Sequence, residues 1–324
     1  MNDYVLFING GTTNTRFILL KGGNVIAQAK RFVGAATAKE NKRNPELEEA
    51  VRKTISEMEA AHECRITNVV ASGMLTSNVG LMEIHHLEAP VTFEKLIAAV
   101  KPYVLESISQ DITFYMIPGI KFRTESENLQ DKDLMRGEET EILGALSKDE
   151  EEDTTVFVHL GSHGKAILFE GGAIVKSVTT FGGEMLWTAC HNTILQSSVS
   201  DLNDMEVDEA NVLEGFAVCM EKGLTRALFL GRIASIEESR SPAQVTSFII
   251  GAMTCSDMQA FLPIMEKADK KIIVYGRDSY IQAMKICVDK YYLKLKDKVR
   301  LIDFYQSESL AIEGMHRIYN ELNK

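Results

Sequence analysis

Two glycine turns in the chain carry residue types suited to holding phosphate. In the first, Gly10 and Gly11 precede Thr12, Thr13 and Asn14; in the second, Gly161, Ser162, His163 and Gly164 follow one another. Glycine removes the Cβ that would stop successive backbone N–H groups from converging on an anion, and the neighbouring side chains add donors. Each turn alone reads first as a hairpin connection. The pair says more, because a plain hairpin does not require hydroxyl and polar side chains at both places. Two such turns facing each other could hold one polyphosphate.

A third segment, Asp133-Leu-Met-Arg136-Gly137-Glu138-Glu139-Thr140, sets an arginine beside two adjacent carboxylates at an expected helix start. Arg136 could bind an anionic substrate while a carboxylate accepts a hydroxyl proton. An ion-paired helix surface accounts for the same residues, Glu139 and Glu141 above all. The polar run from Ser72 to Gly80, including Gly73, Met74, Ser77 and Asn78, follows an expected strand over 67–71. Loops at the carboxyl ends of strands line clefts, and this one offers little to a core.

Other signatures are missing. No glycines fall at the Gly-x-Gly-x-x-Gly spacing, and Gly164-Lys165 is followed by alanine, which breaks a Walker A match. His62-Glu63 has no second histidine at helical spacing, and His85-His86 has no nearby thiol or carboxylate cluster, so these histidines read as structural or surface residues. The 5 cysteines form no Cys-x-x-Cys and no close pair, which argues against zinc and disulfides and suggests a reducing cytoplasm.

The elements that must position these residues repeat. Apolar runs at 5–8, 17–20 and 25–27, separated by Gly-rich turns, read as a three-stranded meander; runs at 156–158, 165–169 and 173–175 read as a second copy. Helical patterns at 45–61 and 207–228 and strands at 67–71, 113–117, 271–275 and 299–303 extend both copies to β-β-β-α-β-α-β-α. The charge run 147–153 separates them, giving expected domains 1–148 and 149–324. Gly137, Gly144 and Gly314 lie in helical patterns where small residues allow helices to approach closely, either across the two halves or within a core. With 324 residues, 45% hydrophobic and 25% charged, the chain can build two globular cores. A formal charge of −11 offers no general attraction to nucleic acid or anionic membrane. The amino terminus lacks a basic n-region, and no run of ~18 apolar residues occurs, so neither secretion nor membrane spanning is expected.

Taken together, these segments resemble the 2-dehydro-3-deoxygalactonokinase family, sugar-acid kinases of the actin, sugar kinase and Hsp70 ATPase superfamily. The resemblance runs nearly end to end. It rests on Ala71-Ser-Gly-Met74 with Ser77-Asn-Val-Gly80, on Ile117-Pro-Gly119, and above all on Leu134-Met-Arg-Gly-Glu-Glu-Thr140 with Ile142-Leu-Gly-Ala145. Gly161-Ser-His163 with Lys165, Gly183-Glu184, and Val274-Tyr-Gly276 with Ser279 agree as well.

The resemblance implies two α/β ribonuclease-H-like domains with an interdomain cleft, ATP and Mg²⁺ as cofactors, and phosphoryl transfer to the 6-hydroxyl of 2-dehydro-3-deoxy-D-galactonate. It implies phosphate binding by Gly10, Gly11, Thr12 and Thr13 on one side and by Gly161, Ser162, His163 and Lys165 on the other. Asn14, Arg16 and Arg136 fall near the sugar acid, with Gly73, Met74, Ser77 and Asn78, while Gly276 and Ser279 fall on the adenosine side. Asp133 or Glu138 is the expected proton acceptor. The chain departs from the family at Asn9, where the family has the aspartate that helps organise the Mg²⁺ shell, and more mildly at Leu160 and Ala166. Mg²⁺ favours carboxylate and water, and metal and positioning supply most of phosphoryl-transfer catalysis. Three readings follow: this sugar-acid kinase, a kinase of another sugar or sugar acid, or a catalytically impaired nucleotide- and sugar-binding regulatory protein.

Overall fold

The computed structural model describes residues 4–38, 44–123, 128–146, 153–202 and 205–324. Its contacts divide the chain into two compact units, Met1–Glu151 with Glu308–Lys324, and Glu152–Ser307. The expected boundary at 148/149 and most of the charge run lie outside the described residues. The segment from 308 onward groups with the first unit, so the expected domain 149–324 needs correction at its end. The reason is packing: Arg317 donates to the carbonyls of Leu143 and Leu146, and Tyr319 sets its ring against Phe7 and Tyr115.

The first unit opens with β1 (Tyr4–Gly10), β2 (Thr15–Lys21) and β3 (Asn24–Arg31), then α1 (Pro45–His62) and β4 (Asn68–Gly73). Short strands β5 (Leu87–Glu88) and β6 (Val91–Thr92), α2 (Phe93–Ala99), β7 (Lys101–Val104), β8 (Thr113–Met116), β9 (Ile120–Phe122), β10 (Asp133–Met135) and α3 (Glu138–Ala145) follow. The main sheet has the order β3-β2-β1-β4-β8-β7, and β10-β9-β5 form a small second sheet. Asn44 caps α1 by accepting from the Leu47 N–H at 3.2 Å, and Pro45 begins the helix. Such a cap contributes ~1 kcal/mol. The apolar stripe of α1, Leu47, Val51, Ile55 and Met58, packs into the same core as Leu6, Ile8, Phe17 and Phe114.

The second unit holds β11 (Thr155–Leu160), β12 (Gly164–Glu170), β13 (Ala173–Thr180), α4 (Gly182–Asn192), α5 (Glu209–Lys222), α6 (Leu224–Glu237), α7 (Pro242–Met265) and β14 (Lys271–Gly276). After these come α8 (Asp278–Tyr291), α9 (Leu293–Lys296), β15 (Val299–Leu301) and α10 (Phe304–Leu322), whose later part belongs to the first unit. Its strands run β15-β14-β11-β12-β13. That order mirrors β8-β4-β1-β2-β3 in the first unit. In both, the meander pairs antiparallel and the next two strands add in parallel. The duplication expected from the glycine turns is therefore one of topology.

Two elements differ from the sequence expectation. The helix expected over 207–228 is two helices, because Gly223 adopts φ +84° and its N–H closes α5 on Cys219. Pro242–Met265 is long and apolar enough to cross a membrane by length and composition, with mean hydropathy 1.3, yet it is the buried centre of the second unit. Its Ser241 and Gln244 form a reciprocal capping box ahead of the apolar run. The helical glycines do allow close approach, inside the first unit: a Cβ on Gly144 would fall 2.0 Å from the Leu310 carbonyl oxygen, and one on Gly314 1.9 Å from that of Thr140.

Candidate active site

In the first unit the site grows from the carboxyl ends of β1 and β4. Gly10, the last residue of β1, lies beside Gly73, the last of β4. Gly73 has φ +69°, and a Cβ there would fall 2.3 Å from the Gly10 carbonyl oxygen and 2.9 Å from Asn9 Oδ1. Only glycine tolerates both the backbone angle and the approach. The turn after β1 closes when the Gly11 N–H donates to the Asn14 carbonyl at 2.8 Å. It is held from behind, because Ala35 and Ala36 donate to the Gly11 and Thr12 carbonyls at 3.1 and 2.8 Å. With its carbonyls turned inward, the segment Gly11 to Asn14 stays at the surface: Gly11 and Thr13 are exposed, Thr12 and Asn14 half-buried. The Asn14 amide donates to Thr13 Oγ1 at 3.3 Å. Arg16 stands across from Asn9 in the β1–β2 register. The Asn9 side chain accepts from the Ser72 hydroxyl at 3.3 Å.

The loop after β4 is pinned by Arg136. One guanidinium nitrogen donates to the Thr76 carbonyl at 2.7 Å and to its hydroxyl at 2.5 Å, and the other donates to the Ile84 carbonyl at 2.8 Å and lies 3.1 Å from His86 Nε2. Burial lowers the Arg136 pKa, with the Glu139 and Glu83 carboxylates opposing the fall. Burial, the Arg136 charge and the other cations nearby bring His86 down to about 4, so its ring is neutral at physiological pH. Arg136 was expected to meet the substrate. Its fork holds the Thr76 and Ile84 carbonyls and keeps Met74–Ile84 in shape. Within that loop Ser77 is buried, donating to the Met74 carbonyl at 2.7 Å, while Met74 is half-buried and Asn78 exposed.

The expected proton acceptors part company. Asp133 lies in β10, opposite Phe122 in the small sheet. Glu138 is the first residue of α3, directly after Gly137, which rests on Gly73. Its Oε2 accepts from the Arg136 N–H at 3.1 Å, and only 9% of the residue is exposed. Behind it Glu139 is fully buried, both its oxygens 2.8 Å from the Gly137 nitrogen. Burial and the neighbouring Glu138 push the Glu139 carboxyl up to about 8. At neutral pH it is a protonated acid, so Glu138 sits beside a neutral partner rather than a second anion.

The second unit repeats the arrangement. Leu160 ends β11 beside Gly276, the last residue of β14. Gly276 has φ +130°, and a Cβ there would fall 2.4 Å from the Leu160 carbonyl oxygen, as Gly73 does against Gly10. The turn Gly161–His163 is tied to α4, because the Glu184 N–H donates to the Ser162 carbonyl at 2.7 Å. His163 Nε2 is 3.1 Å from Glu184 Oε2, and its ring leans on Phe181. Lys165 is buried in β12 and donates to Thr179 Oγ1 at 3.2 Å. Ser279 is buried too, its hydroxyl donating to the Leu202 carbonyl at 3.1 Å, so it fixes the start of α8. The half-buried Arg277, between Gly276 and α8, is the residue there that the sequence reading passed over. Burial lowers its pKa against the pull of Asp201. The partnership of Glu184 with His163 was also missed. The Gly182-Gly183 pair ahead of Glu184 was the available signal, since a Cβ on Gly183 would fall 1.9 Å from the Gly161 carbonyl oxygen.

A family model described as 2-keto-3-deoxy-galactonokinase matches residues 9–317. The 2-dehydro-3-deoxygalactonokinase of Escherichia coli K12 is 24% identical over 258 residues, 78% of each chain. Among solved structures, a candidate 2-dehydro-3-deoxygalactonokinase from Sinorhizobium meliloti superposes with TM-score 0.76 at 18% identity, over 98% of this chain and 99% of that one. The activator of 2-hydroxyisocaproyl-CoA dehydratase from Clostridium difficile, solved with bound ADPNP, gives TM-score 0.50 at 12% identity, over 99% and 97%. These likenesses identify the fold as the two-domain α/β ATPase type.

Proposed function

Because the chain belongs to the 2-keto-3-deoxy-galactonokinase family, we propose that it transfers the γ-phosphoryl group of MgATP to the 6-hydroxyl of 2-dehydro-3-deoxy-D-galactonate. The observation that carries this reading is the duplicated strand pair: Gly10 beside Gly73 in one unit, Leu160 beside Gly276 in the other, each carrying a polar glycine turn. In this reading Gly11, Thr12 and Thr13 bind phosphate oxygens from the first unit, and Gly161, Ser162 and His163 from the second, with Lys165 supporting the strand behind. Gly276 and Arg277 border the adenosine, and Ser279 holds the helix beneath it. Asn14 and Arg16 meet the sugar-acid carboxylate, the guanidinium being suited to a two-pronged contact. Gly73, Met74 and Asn78 border the sugar, on a loop whose shape Arg136 and Ser77 maintain.

Glu138 takes the proton. The 6-hydroxyl oxygen bonds to the γ-phosphorus as the bond from that phosphorus to the β–γ bridging oxygen breaks, the hydroxyl proton moves to Glu138, and ADP departs. Mg²⁺ enters with the nucleotide as part of the substrate. Asn9 presents a neutral amide, and no group of three or more His, Cys, Asp or Glu side chains converges among the described residues. In this proposal triphosphate oxygens and water would supply most of the metal's shell, in keeping with its reluctance to dehydrate. Phosphoryl transfer needs water kept out of the site. Five unpaired cysteines support a reducing, cytoplasmic setting.

The test is coupled detection of ADP with 2-dehydro-3-deoxygalactonate, beside other sugars and sugar acids. Turnover with this acid above all others supports the assignment. Turnover only with another acceptor moves the substrate and keeps the kinase. ATP binding without turnover on any acceptor leaves a regulatory nucleotide-binding protein, the reading that Asn9 favours.

A further inference from the structure

A buried carboxyl group lies beneath the second glycine turn. Asp257, in α7, is 2% exposed, and four elements meet it. The Tyr280 hydroxyl from α8 donates to its Oδ2. The Thr180 hydroxyl, at the end of β13, faces the same carboxyl and donates to the Gly164 carbonyl at 3.4 Å. At the start of α4, the backbone of Gly182 lies so close that a Cβ there would fall 2.2 Å from Asp257 Oδ2 and 2.4 Å from Oδ1. At the start of β12, a Cβ on Gly164 would fall 3.5 Å from Oδ2 and 2.8 Å from Thr180 Oγ1. Gly164 and Gly182 bracket the turn: the first directly follows His163, and the second begins the helix whose Glu184 N–H holds the Ser162 carbonyl.

We propose that Asp257 is a positioning residue for the second phosphate turn, fixing Gly161–His163 through α4 on one side and β12 on the other. The ligand half of the inference rests on the assignment of that turn to the nucleotide. The physical case is that the start of α4 must be set to a fraction of an ångström for the turn to present its N–H groups. A buried carboxyl under Gly182, held by the Tyr280 hydroxyl, does that better than an apolar side chain, which would have no hold on that hydroxyl. The geometry also explains why glycine stands at 182, where any side chain would displace the carboxyl, and at 164, where one would meet Thr180 Oγ1 at 2.8 Å.

The experiment pairs amide hydrogen exchange in the intact ligand-free chain with calorimetric titration of ATP and, separately, of the sugar acid. In Asp257→Ala, exchange at 161–164 and 182–184 should rise about tenfold or more above the parent, with the first turn unchanged. The Kd for ATP should rise about tenfold while that for the sugar acid holds within about twofold. Asp257→Asn, which keeps an acceptor for Tyr280, should restore most of both. Tyr280→Phe, which keeps the packing volume, should loosen the same amides and serves where Asp257→Ala does not fold. Unchanged exchange at the turn overturns the proposal, as does a loss shared equally by both ligands. A loosened turn with parental ATP affinity supports the positioning role and removes phosphate from that turn, which is the failure of the functional reading instead.

Discussion

Gly73 and Gly137 meet backbone to backbone: a Cβ on Gly137 would fall 3.3 Å from the Gly73 α-carbon, and both residues have positive φ, +69° and +113°. This contact joins the end of β4 to the start of α3 and sets Glu138 beside the Gly10–Gly73 strand pair.

Gly73→Ala should therefore destabilise the chain through two effects, the backbone angle and the collision with the Gly10 carbonyl. Gly22→Ala is the control. Gly22 has φ +55° with nothing within 4 Å of its missing Cβ, so it carries only the angular cost of ~1–2 kcal/mol. Denaturant midpoints should fall clearly further for Gly73→Ala than for Gly22→Ala; equal losses would mean that the strand pair relaxes around the new methyl group.

Arg136→Lys exchanges a fork for a point charge. The lysine ammonium cannot span the Thr76 and Ile84 carbonyls, which Arg136 holds at 2.7 and 2.8 Å. The expected loss is about 3 kcal/mol, from charged hydrogen bonds worth ~1.5–3 kcal/mol each. In the proposed reading the loop borders the sugar rather than the nucleotide, so KM for the sugar acid should rise with KM for ATP little changed. A parallel rise in both would place the loop elsewhere.

Glu139→Gln should alter how stability depends on pH. The folded carboxyl is raised to about 8 from an ordinary 4.5, so between these values the native state holds a proton that the unfolded state has released. Stability from this group is fully present below the unfolded value and is lost as pH rises toward 8, with a slope approaching ~1.4 kcal/mol per pH unit. Glutamine cannot titrate. The variant should close the gap on the parent, or overtake it, between pH 5 and pH 8 in denaturant titrations; a constant difference across that window would show that Glu139 stays ionised.

Asn9→Asp restores a carboxylate at the end of β1 and keeps an oxygen for the Ser72 hydroxyl, now accepted at 3.3 Å. Turnover should increase and its dependence on Mg²⁺ concentration should steepen, since an anionic oxygen draws the metal's water shell more strongly than an amide. An unchanged rate at all Mg²⁺ concentrations would mean that this position does not approach the metal.

The duplicated meander was legible because its signals are local: apolar runs of strand length, punctuated by Gly10-Gly11, Gly22-Gly23, Gly161 and Gly171-Gly172. The same holds for α1, where Asn44, Pro45 and the apolar stripe all mark one helix. Gly223 escaped notice as a helix break, because a lone glycine in a helical pattern is commonly tolerated and only its φ shows the stop. Arg136 was found as an unusual residue, but its protein partners were not. Its chemistry suits a carboxylate and a backbone carbonyl alike, and the choice depends on Thr76 and Ile84, distant along the chain.

What the residues alone determined was the set of local conformations and the kinds of donor at each turn, since both follow from side-chain type and nearest neighbours. Folding decided which of those donors still point outward. Arg136 and Ser279 turned to protein acceptors, Glu139 gave up its charge to burial, and Gly73 and Gly276 became equivalent only once each lay against a carbonyl of the neighbouring strand. These outcomes depend on desolvation and on contacts between segments far apart in sequence, and neither quantity exists until the chain has packed.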